Sequence, residues 1–264
     1  MLTAVKNQFR VTRLSIKFAL MREMLNKVSF ITNILFMILN NSAMIVQWVV
    51  LFSLKPEFGG YTLKQVLLLW ALASGCYGVS RFFFKKSFSL SDTINSGKLD
   101  AFIVQPKSVL LSAITSDVEV SAIGDMLFAI IFFCIYGFAF TKLLLFIFFC
   151  ITGGLLLTAI TVTLNSLSFW IGNADMIADV GDGLMINFAT YPDGIFKGIV
   201  KWALFTIIPL GLTAYLPVKT IISFNPVYFI VIVVATIVLI SIAILVFNLG
   251  LKKYSSSNLM SARV

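Results

Sequence analysis

Uncharged polar side chains recur at helical spacing inside two long apolar segments. In residues 30–54 three of them lie seven positions apart, which places them on one face of a helix. A second set shares one helix face within residues 143–170. The six candidates are Asn33, Asn40 and Gln47 in the first segment and Thr158, Thr161 and Asn165 in the second. Because polar groups in lipid normally face protein or water, they either line a path or join helices by hydrogen bonds.

Side chains that catalyse reactions are scarce in this chain. It has no histidine, which excludes histidine-dependent triads, histidine metal sites and histidine general bases. Its three cysteines lie in apolar runs without C-x-x-C spacing, so neither a metal cluster nor a disulfide framework is predicted. No G-x-x-x-x-G-K-[ST] phosphate loop occurs. We therefore expect no catalytic, cofactor or metal site, and any ATP must be bound by another chain.

The composition identifies lipid as the main solvent. Of the 264 residues 59% are apolar and 12% are charged, against about 45–50% and about 25% in soluble domains. Six helical spans of about 20 residues fit this length but leave no room for a sizeable soluble domain. The predicted fold class is an all-α membrane protein with six transmembrane helices, forming one transmembrane domain over residues 1–264.

Apolar runs set the expected spans, and the fifth span has two readings. The runs are residues 30–54, 63–79, 123–140, 143–170, 198–216 and 227–251. Either residues 198–216 cross the membrane, or residues 180–191 form a short span and residues 195–217 enter the membrane and return on the same side. Prolines in this region favour breaks in the helices. Both readings leave the C-terminus on the same side.

Charge placement orients the chain and argues against ion coupling. Sixteen lysines and arginines fall on one side of the predicted membrane and four on the other, which puts both termini and residues 81–111 in the cytoplasm. Asp117, Glu119 and Asp125 precede or enter the third span at its cytoplasmic end. An ion-coupled carrier usually needs charged groups at mid-bilayer, so this placement weakens that hypothesis without eliminating it.

The N-terminal residues 1–29 carry a basic stripe. Lys6, Arg10, Arg13 and Lys17 share one helical sector next to an apolar sector. The pattern predicts an amphipathic interfacial helix on the inner leaflet, held by anionic lipid at about 1 kcal/mol per cation. Alternatively, these cations only set the topology. Neither aromatic interleaving nor a binding fold accompanies them, so no nucleic acid is expected as a partner.

The cytoplasmic loop 81–111 contains a short candidate helix. Gly97 can interrupt a helix and Pro106 can end one. Leu99, Phe102 and Ile103 fall on one face at i, i+3 and i+4. An exposed apolar face of this kind predicts a docking partner, although the helix could instead lie on the membrane or pack on its own bundle.

The same loop resembles a known family. Its I-x-x-G-x-L-D-x-x-x-x-x-P pattern, formed by Ile94, Gly97, Leu99, Asp100 and Pro106, resembles the loop between the second and third spans of type-2 ABC exporter permeases. The segment SFWIG at residues 168–172, the Pro192, Pro209 and Pro217 contexts and the tail GLKKYSSS at residues 250–257 agree. The chain is similar over nearly its whole length to bacterial ABC-2 permeases of comparable size.

This resemblance implies a partner-dependent transporter. Such permeases have an N-terminal interfacial helix, a coupling helix in the loop after the second span, and a re-entrant element before the last span, here residues 195–217. They pair as homodimers or heterodimers with a second permease and dock a separate ATP-binding subunit that holds ATP and Mg. The residues carried over to ATPase coupling are Ile94, Gly97, Lys98, Leu99, Asp100, Phe102, Ile103 and Pro106.

The expected function is therefore that of the membrane subunit of an ABC exporter in the bacterial plasma membrane, with both termini cytoplasmic. If residues 195–217 re-enter, Lys197 and Lys201 lie outside, and the count becomes 14 against six without reversing the orientation. The alternative is an ATP-independent secondary transporter or channel.

Overall fold

The structure, a computed structural model, describes residues 2–137, 139–206 and 210–255. Those residues form helices and connecting turns without β-strands, apart from one isolated bridge between Phe58 and Tyr61. The predicted all-α class is therefore confirmed. The helices are α1 (Leu2–Glu23), α2 (Lys27–Leu54), α3 (Leu63–Phe84), α4 (Leu90–Asn95), α5 (Asp100–Ile103), α6 (Val109–Ile114), α7 (Ser121–Gly137), α8 (Phe140–Ser166), α9 (Ser168–Ile171), α10 (Asp175–Ala189), α11 (Gly198–Thr206), α12 (Leu216–Ile222) and α13 (Pro226–Leu251).

Four helical segments are long and apolar enough to cross a membrane. They are α2, α3 with its continuation to Asn95, α8 with its continuation to Ile171, and α13. They coincide with the predicted first, second, fourth and sixth spans. The shorter α7 is apolar and coincides with the third. Side-chain caps precede two of them: Asn26 caps α2, and Asn225, followed by Pro226, caps α13.

The region of the expected fifth span is divided into short helices. The amphipathic α10 has 15 residues and α11 has nine, whereas a straight span needs about 20. A π-helical turn, Gly211–Tyr215, leads directly into α12. Pro209 lies outside the described residues, as do positions 256 and 257 of the GLKKYSSS motif.

The helix α3 lies at the centre of the bundle, packed against α7 and α8, while α2 packs on α7 and α13 packs on α8. Small residues allow α3 and α8 to approach closely. A Cβ atom added at Gly154 would lie 2.7 Å from Cγ1 of Val79 and 2.9 Å from the carbonyl oxygen of Cys76. Such close backbone approach is the usual role of glycine between membrane helices.

We expect Gly154→Ala to destabilise the bundle, because the added methyl group must push α3 away from α8. Overpacking of this kind costs about 1–3 kcal/mol. The matched control is Gly183→Ala in α10, where an added Cβ meets no atom within 4 Å, so the substitution is neutral or stabilising by roughly 0.5–1 kcal/mol. Thermal unfolding of the purified protein in detergent measures both, and equal midpoints for the two variants would contradict this packing argument.

Candidate functional site

A groove of about 430 Å³ runs between α2, α3, α7 and α10. It extends from Arg81 and Glu119, where α3 ends and α7 begins, to Gln47 and Tyr191, near the ends of α2 and α10. Its polar and aromatic lining residues are Asn40, Asn41, Gln47, Trp48, Trp70, Ser74, Tyr77, Arg81, Glu119, Ser121, Asp125, Asn187, Thr190 and Tyr191. A polar surface of this length on a bundle of apolar helices is the candidate site.

The carboxylate of Asp125 lies at half height in this groove. Counted at 1.5 Å per residue, its partner Ser74 is about 17 Å along α3 from Leu63, and its partner Asn41 is about 20 Å along α2 from Leu54. Asp125 is the fifth residue of α7, so it lies near the start of its own helix as predicted, yet it is level with the middle of α2 and α3. The reason is that α7 begins partway up the bundle, so that its fifth residue is already level with the middle of α3.

Two helices hold the Asp125 side chain, which is only 6% exposed. The Asn41 amide donates a 2.7 Å hydrogen bond to Oδ1, and the Ser74 hydroxyl lies 3.3 Å from Oδ1 and 3.0 Å from the Asp125 carbonyl oxygen. Both side-chain donors reach the same carboxylate oxygen. The cluster joins α2, α3 and α7. Among the described residues Oδ2 has no hydrogen-bond partner, so it can accept a proton, a cation or a polar ligand group.

Aromatic rings form much of the remaining wall. Trp48 and Tyr191 pack edge to face with ring centroids 5.6 Å apart at the end of the groove where α2 and α10 end. The Trp70 indole nitrogen is buried and has no hydrogen-bond partner among the described residues. An unpaired buried donor beside a polar groove can serve a bound molecule or water. The groove therefore combines flat apolar surfaces with a few polar groups, as ligand sites commonly do.

The six polar candidates were expected either to line a path or to join helices by hydrogen bonds. The two segments differ in this respect. Asn40 and Gln47 of α2 are exposed and line the groove. Asn33 is exposed but does not line it. Asn41 was missed by the heptad spacing, although an Asn40–Asn41 pair in the middle of an apolar run was a visible signal.

The three candidates on α8 join helices instead. The Thr158 hydroxyl lies 2.8 Å from that of Ser80 on α3. The Thr161 hydroxyl donates a 2.7 Å hydrogen bond to the buried Asp182 carboxylate on α10. Asn165 donates to the Thr161 carbonyl oxygen at 2.9 Å. The contacts of Thr158 and Thr161 fix α3 and α10 against α8, whereas this bond of Asn165 stays within α8.

The loop 81–111 folds onto the bundle. Gly97 has φ +72°, a left-handed conformation that ends α4 and turns the chain toward α5. Leu99 and Ile94 are fully buried, in an apolar cluster that includes Val162 of α8 and Phe247 of α13. The expectation of an exposed Leu99 is wrong, because the turn at Gly97 directs it inward and the loop packs on its own bundle.

Other members of the predicted coupling set remain accessible. Phe102 is half-buried against the cluster, while Ile103 is 41% exposed. Lys98 is exposed and forms a 3.0 Å ion pair with Asp92. Asp100 is half-buried and Pro106 is exposed. Val104, which the spacing argument missed, is the most exposed apolar residue of this loop at 83%.

Hydrogen bonds fasten the start of this loop to the end of α8. The Asn165 side-chain oxygen accepts a 3.1 Å hydrogen bond from the Ser91 amide. The hydroxyls of Ser91 and Ser168 are also hydrogen-bonded, and Ser168 accepts from the Ala174 amide at 3.0 Å. The segment SFWIG therefore contributes a polar anchor for α4. Any movement of the loop would therefore also displace the end of α8.

The predicted N-terminal helix is present as α1. Gln8 docks it on α6, accepting from the Ser108 amide at 2.9 Å, and Arg22 forms a 2.5 Å ion pair with Asp117. The basic stripe Lys6, Arg10, Arg13 and Lys17 is exposed and, among the described residues, has no carboxylate within ion-pair distance.

At the end of the bundle where α2 and α10 end, a buried aspartate, Asp193, binds three side chains from different segments. Asp193 accepts hydrogen bonds from the Tyr61 hydroxyl at 2.7 Å and from the Lys219 ammonium at 3.0 Å, and Lys201 lies 3.4 Å away. Burial acts to raise the pKa of Asp193, but these hydrogen bonds and the two lysine charges outweigh it, so that its pKa lies below the ordinary 3.8. This network ties the α2–α3 loop to the segments on both sides of α11.

The apolar helices and the buried polar groups among them define a multi-pass helical membrane protein. A family model described as ABC-2 family transporter protein matches residues 35–258. The chain belongs to this family, which makes it an ABC-2 type membrane permease, a transport subunit rather than a catalytic domain. No curated protein and no solved structure matches the chain.

We expect the hydrogen-bond and ion-pair network around Asp193 to weaken in acid. A carboxyl group with a lowered folded pKa stabilises the fold above its unfolded pKa, and that contribution is lost as the pH falls through the folded value. The unfolding midpoint should therefore drop as the pH falls below about 3.8. Asp193→Asn removes this ionisation, so its midpoint should be lower at neutral pH and should fall less steeply in acid. Parallel pH curves for the two proteins would exclude the assigned role of Asp193.

Proposed function

We propose that this chain is the membrane-spanning permease subunit of an ATP-binding cassette exporter, in which a separate subunit binds ATP and Mg and hydrolyses the ATP. The observation that carries the proposal is the polar groove of a chain that belongs to the ABC-2 family. The chain itself lacks a phosphate loop. It also lacks the long glycine-containing cytoplasmic loop of importer permeases, which favours export over uptake.

The groove supplies one wall of the translocation path. It is open on one side and contains Arg81, Glu119 and Asp125, and charged groups are costly when they face lipid. A second permease, either another copy of this chain or a homologue, would cover this open side and enclose a hydrated path between the two subunits. Asn40 and Gln47 then contact the transported molecule, whereas Thr158, Thr161 and Asn165 hold the bundle together.

A six-span topology with both termini in the cytoplasm accounts best for the short helices. Asp193 contacts Tyr61 of the α2–α3 loop, which supports α10 as a short fifth span ending at the outer side. Both Lys201 and Lys219 contact the same Asp193, which supports residues 195–217 as a re-entrant element that leaves this side and returns to it. The bacterial plasma membrane is the location that fits this export role.

The α1 helix lies on the inner leaflet in this arrangement. The contact of α1 with the start of α6 is made by Gln8, whereas the four cations are exposed. They can therefore meet anionic headgroups. The bilayer is thus a further partner of the chain, and no role in binding nucleic acid is assigned to the stripe.

The loop 94–106 is the ATPase contact. Ile103 and Val104 present the exposed apolar surface, while Ile94, Leu99 and Phe102 anchor the loop to α8 and α13. Gly97 sets the turn between these two parts, and Lys98, Asp100 and Pro106 lie at its accessible rim.

We expect Val104→Asp to abolish co-purification of the ATP-binding subunit, because a charge replaces the most exposed apolar side chain of the contact. The fold should be unaffected, since Val104 is 83% exposed. Val104→Thr, of nearly the same shape, serves as the control and should retain most of the association. A stable complex with Val104→Asp would mean that the ATPase docks elsewhere.

A secondary transporter without an ATPase is the second candidate, and Asp125 is the observation that favours it. A carboxylate at mid-height with one unpaired oxygen is the kind of group that couples transport to protons or cations. Its hydrogen bonds to Asn41 and Ser74 also give it a structural role, which the family assignment accommodates without any ion coupling.

The substitution Asp125→Asn separates the two candidates. In an ATP-driven exporter, efflux by the complete complex should continue to require ATP and should not respond to a proton gradient, before or after the substitution. In an ion-coupled carrier, gradient-driven transport by this chain alone should be present and should be lost in Asp125→Asn. Ion-driven transport in liposomes containing only this chain would overturn the primary proposal.

A further inference from the structure

A second cavity, of about 380 Å³, lies apart from the groove. It lies between the α2–α3 loop, the end of α12 and the start of α13, beside the network around Asp193. Among the described residues, none that lines it also lines the groove. We call it the terminal cavity, and its polar lining side chains are Tyr61, Gln65, Lys219, Ser223, Asn225 and Tyr228.

Two carboxamides turn their NH2 groups to the terminal cavity. The Gln65 side-chain oxygen accepts a 2.9 Å hydrogen bond from the Thr62 amide. The Asn225 side-chain oxygen accepts a 2.9 Å hydrogen bond from the Val227 amide. Because both oxygens already cap a helix, the groups left to meet a ligand are the two NH2 donors. Neither NH2 group has a hydrogen-bond partner among the described residues.

Two hydroxyls and an ammonium complete this set of donors. The Ser223 and Tyr228 hydroxyls likewise have no hydrogen-bond partner in the part of the chain that the structure describes. The Lys219 ammonium donates to Asp193 at 3.0 Å, which uses one of its three N–H groups. Among the described residues that line the cavity there is no aspartate or glutamate. Such a set of donors favours an anion with several acceptor oxygens.

The charge around the cavity favours the same kind of ligand. Residues 55–65 and 193–225 together carry five lysines and two carboxylates. Asp193 accepts a hydrogen bond from Lys219 and lies 3.4 Å from Lys201, so its single negative charge faces two positive charges. An excess of positive charge raises the local concentration of anions and their rate of association.

The position of the cavity along the bundle points to the membrane surface. Gln65 and Tyr228 are the third residues of α3 and α13, two of the helices that are long and apolar enough to cross a membrane. Lipid headgroups lie at the level where such helices begin. The exposed Phe224 lines the cavity, and the exposed Val227 follows it in sequence. Apolar side chains therefore border the polar ones, as a headgroup joined to acyl chains requires.

We propose that the terminal cavity binds a phosphate group at the membrane surface, held by the Lys219 ammonium and by the NH2 groups of Gln65 and Asn225. This site needs neither an ATPase nor a transported molecule, so it goes beyond the proposed function. A phospholipid headgroup and free phosphate share the chemistry that these donors recognise. The apolar border favours the headgroup, and the experiment distinguishes the two sources.

Two substitutions remove a donor but keep the helix cap. Asn225→Asp and Gln65→Glu retain the oxygen that accepts from the backbone, since aspartate is a good N-cap residue and glutamate completes a capping box. Each replaces the NH2 group with a negatively charged oxygen. Lys219 is left unchanged, because its substitution would also disturb Asp193. The matched control is Asn26→Asp, since Asn26 caps α2 by accepting from the Ser29 amide at 3.1 Å and does not line the cavity.

Amide hydrogen exchange of the purified chain in neutral detergent measures this binding and locates it. Short-chain phosphatidylglycerol should slow exchange in residues 60–66 and 222–230 of the wild type, whereas dioctanoylglycerol, which lacks phosphate, should not. Lipid bound to the basic stripe would be detected separately, within α1. In Asn225→Asp and Gln65→Glu, the phosphatidylglycerol concentration for half-maximal slowing should rise at least about tenfold, as for the loss of one hydrogen bond to a charged group. Asn26→Asp should respond as the wild type does.

Inorganic phosphate, tested in the same way, identifies the source of the ligand. Slowing by phosphatidylglycerol alone supports a lipid headgroup, and slowing by both probes at similar concentrations supports free phosphate. The proposal is overturned if neither probe slows exchange in residues 60–66 and 222–230, or if dioctanoylglycerol slows it equally. Unchanged responses in both Asn225→Asp and Gln65→Glu would also overturn it, because the NH2 groups would then take no part in binding.

Discussion

The high cost of placing polar groups in lipid is the constraint on which the arrangement of this bundle depends. The carboxylate of Asp125 lies at half height, and it is accommodated because Asn41 and Ser74 donate to it from two other helices. That cluster fixes α2, α3 and α7 around the inner wall of the groove. On α8, by contrast, the polar side chains bond to neighbouring helices. Thr161 donates a hydrogen bond to Asp182 and thereby joins α8 to α10. Pairing within the chain thus leaves one continuous polar surface open, and that surface is the candidate path.

The two ends of the bundle are fastened by different means. At the end where α2 and α10 end, Asp193 accepts hydrogen bonds from Tyr61 and Lys219, so an ion-pair network connects the α2–α3 loop with the segment around α11. At the other end, an apolar cluster around Leu99 and Phe247 holds the loop 81–111 against α8 and α13. Packed cores move as rigid units rather than deforming gradually. A push on the loop would therefore be transmitted to α8 and α13 as whole helices.

Much of this architecture could be predicted from the sequence, because apolar runs of spanning length are unambiguous in α2, α3, α8 and α13. The level of Asp125 relative to α2 and α3 could not be predicted, since it depends on where α7 begins relative to its neighbours. Periodicity placed Leu99 on an apolar face, but an apolar face looks the same whether a partner or the chain's own bundle covers it. For the same reason, heptad spacing found Asn40 and Gln47 and could not separate them from Thr158 and Asn165, which differ only in what faces them.

The central claim is that the groove is a wall of an ATP-driven path, and the direct measurement is solvent access from each side of the membrane. Gln47→Cys, with the exposed Cys134 replaced by serine, can be labelled with a membrane-impermeant maleimide in the assembled complex. Leu39→Cys, exposed on α2 but outside the groove, is the control. The account predicts that position 47 reacts and that an ATP analogue changes the side from which it reacts, while position 39 stays unreactive. Absence of labelling at position 47, or labelling from the same side with and without the ATP analogue, would contradict it.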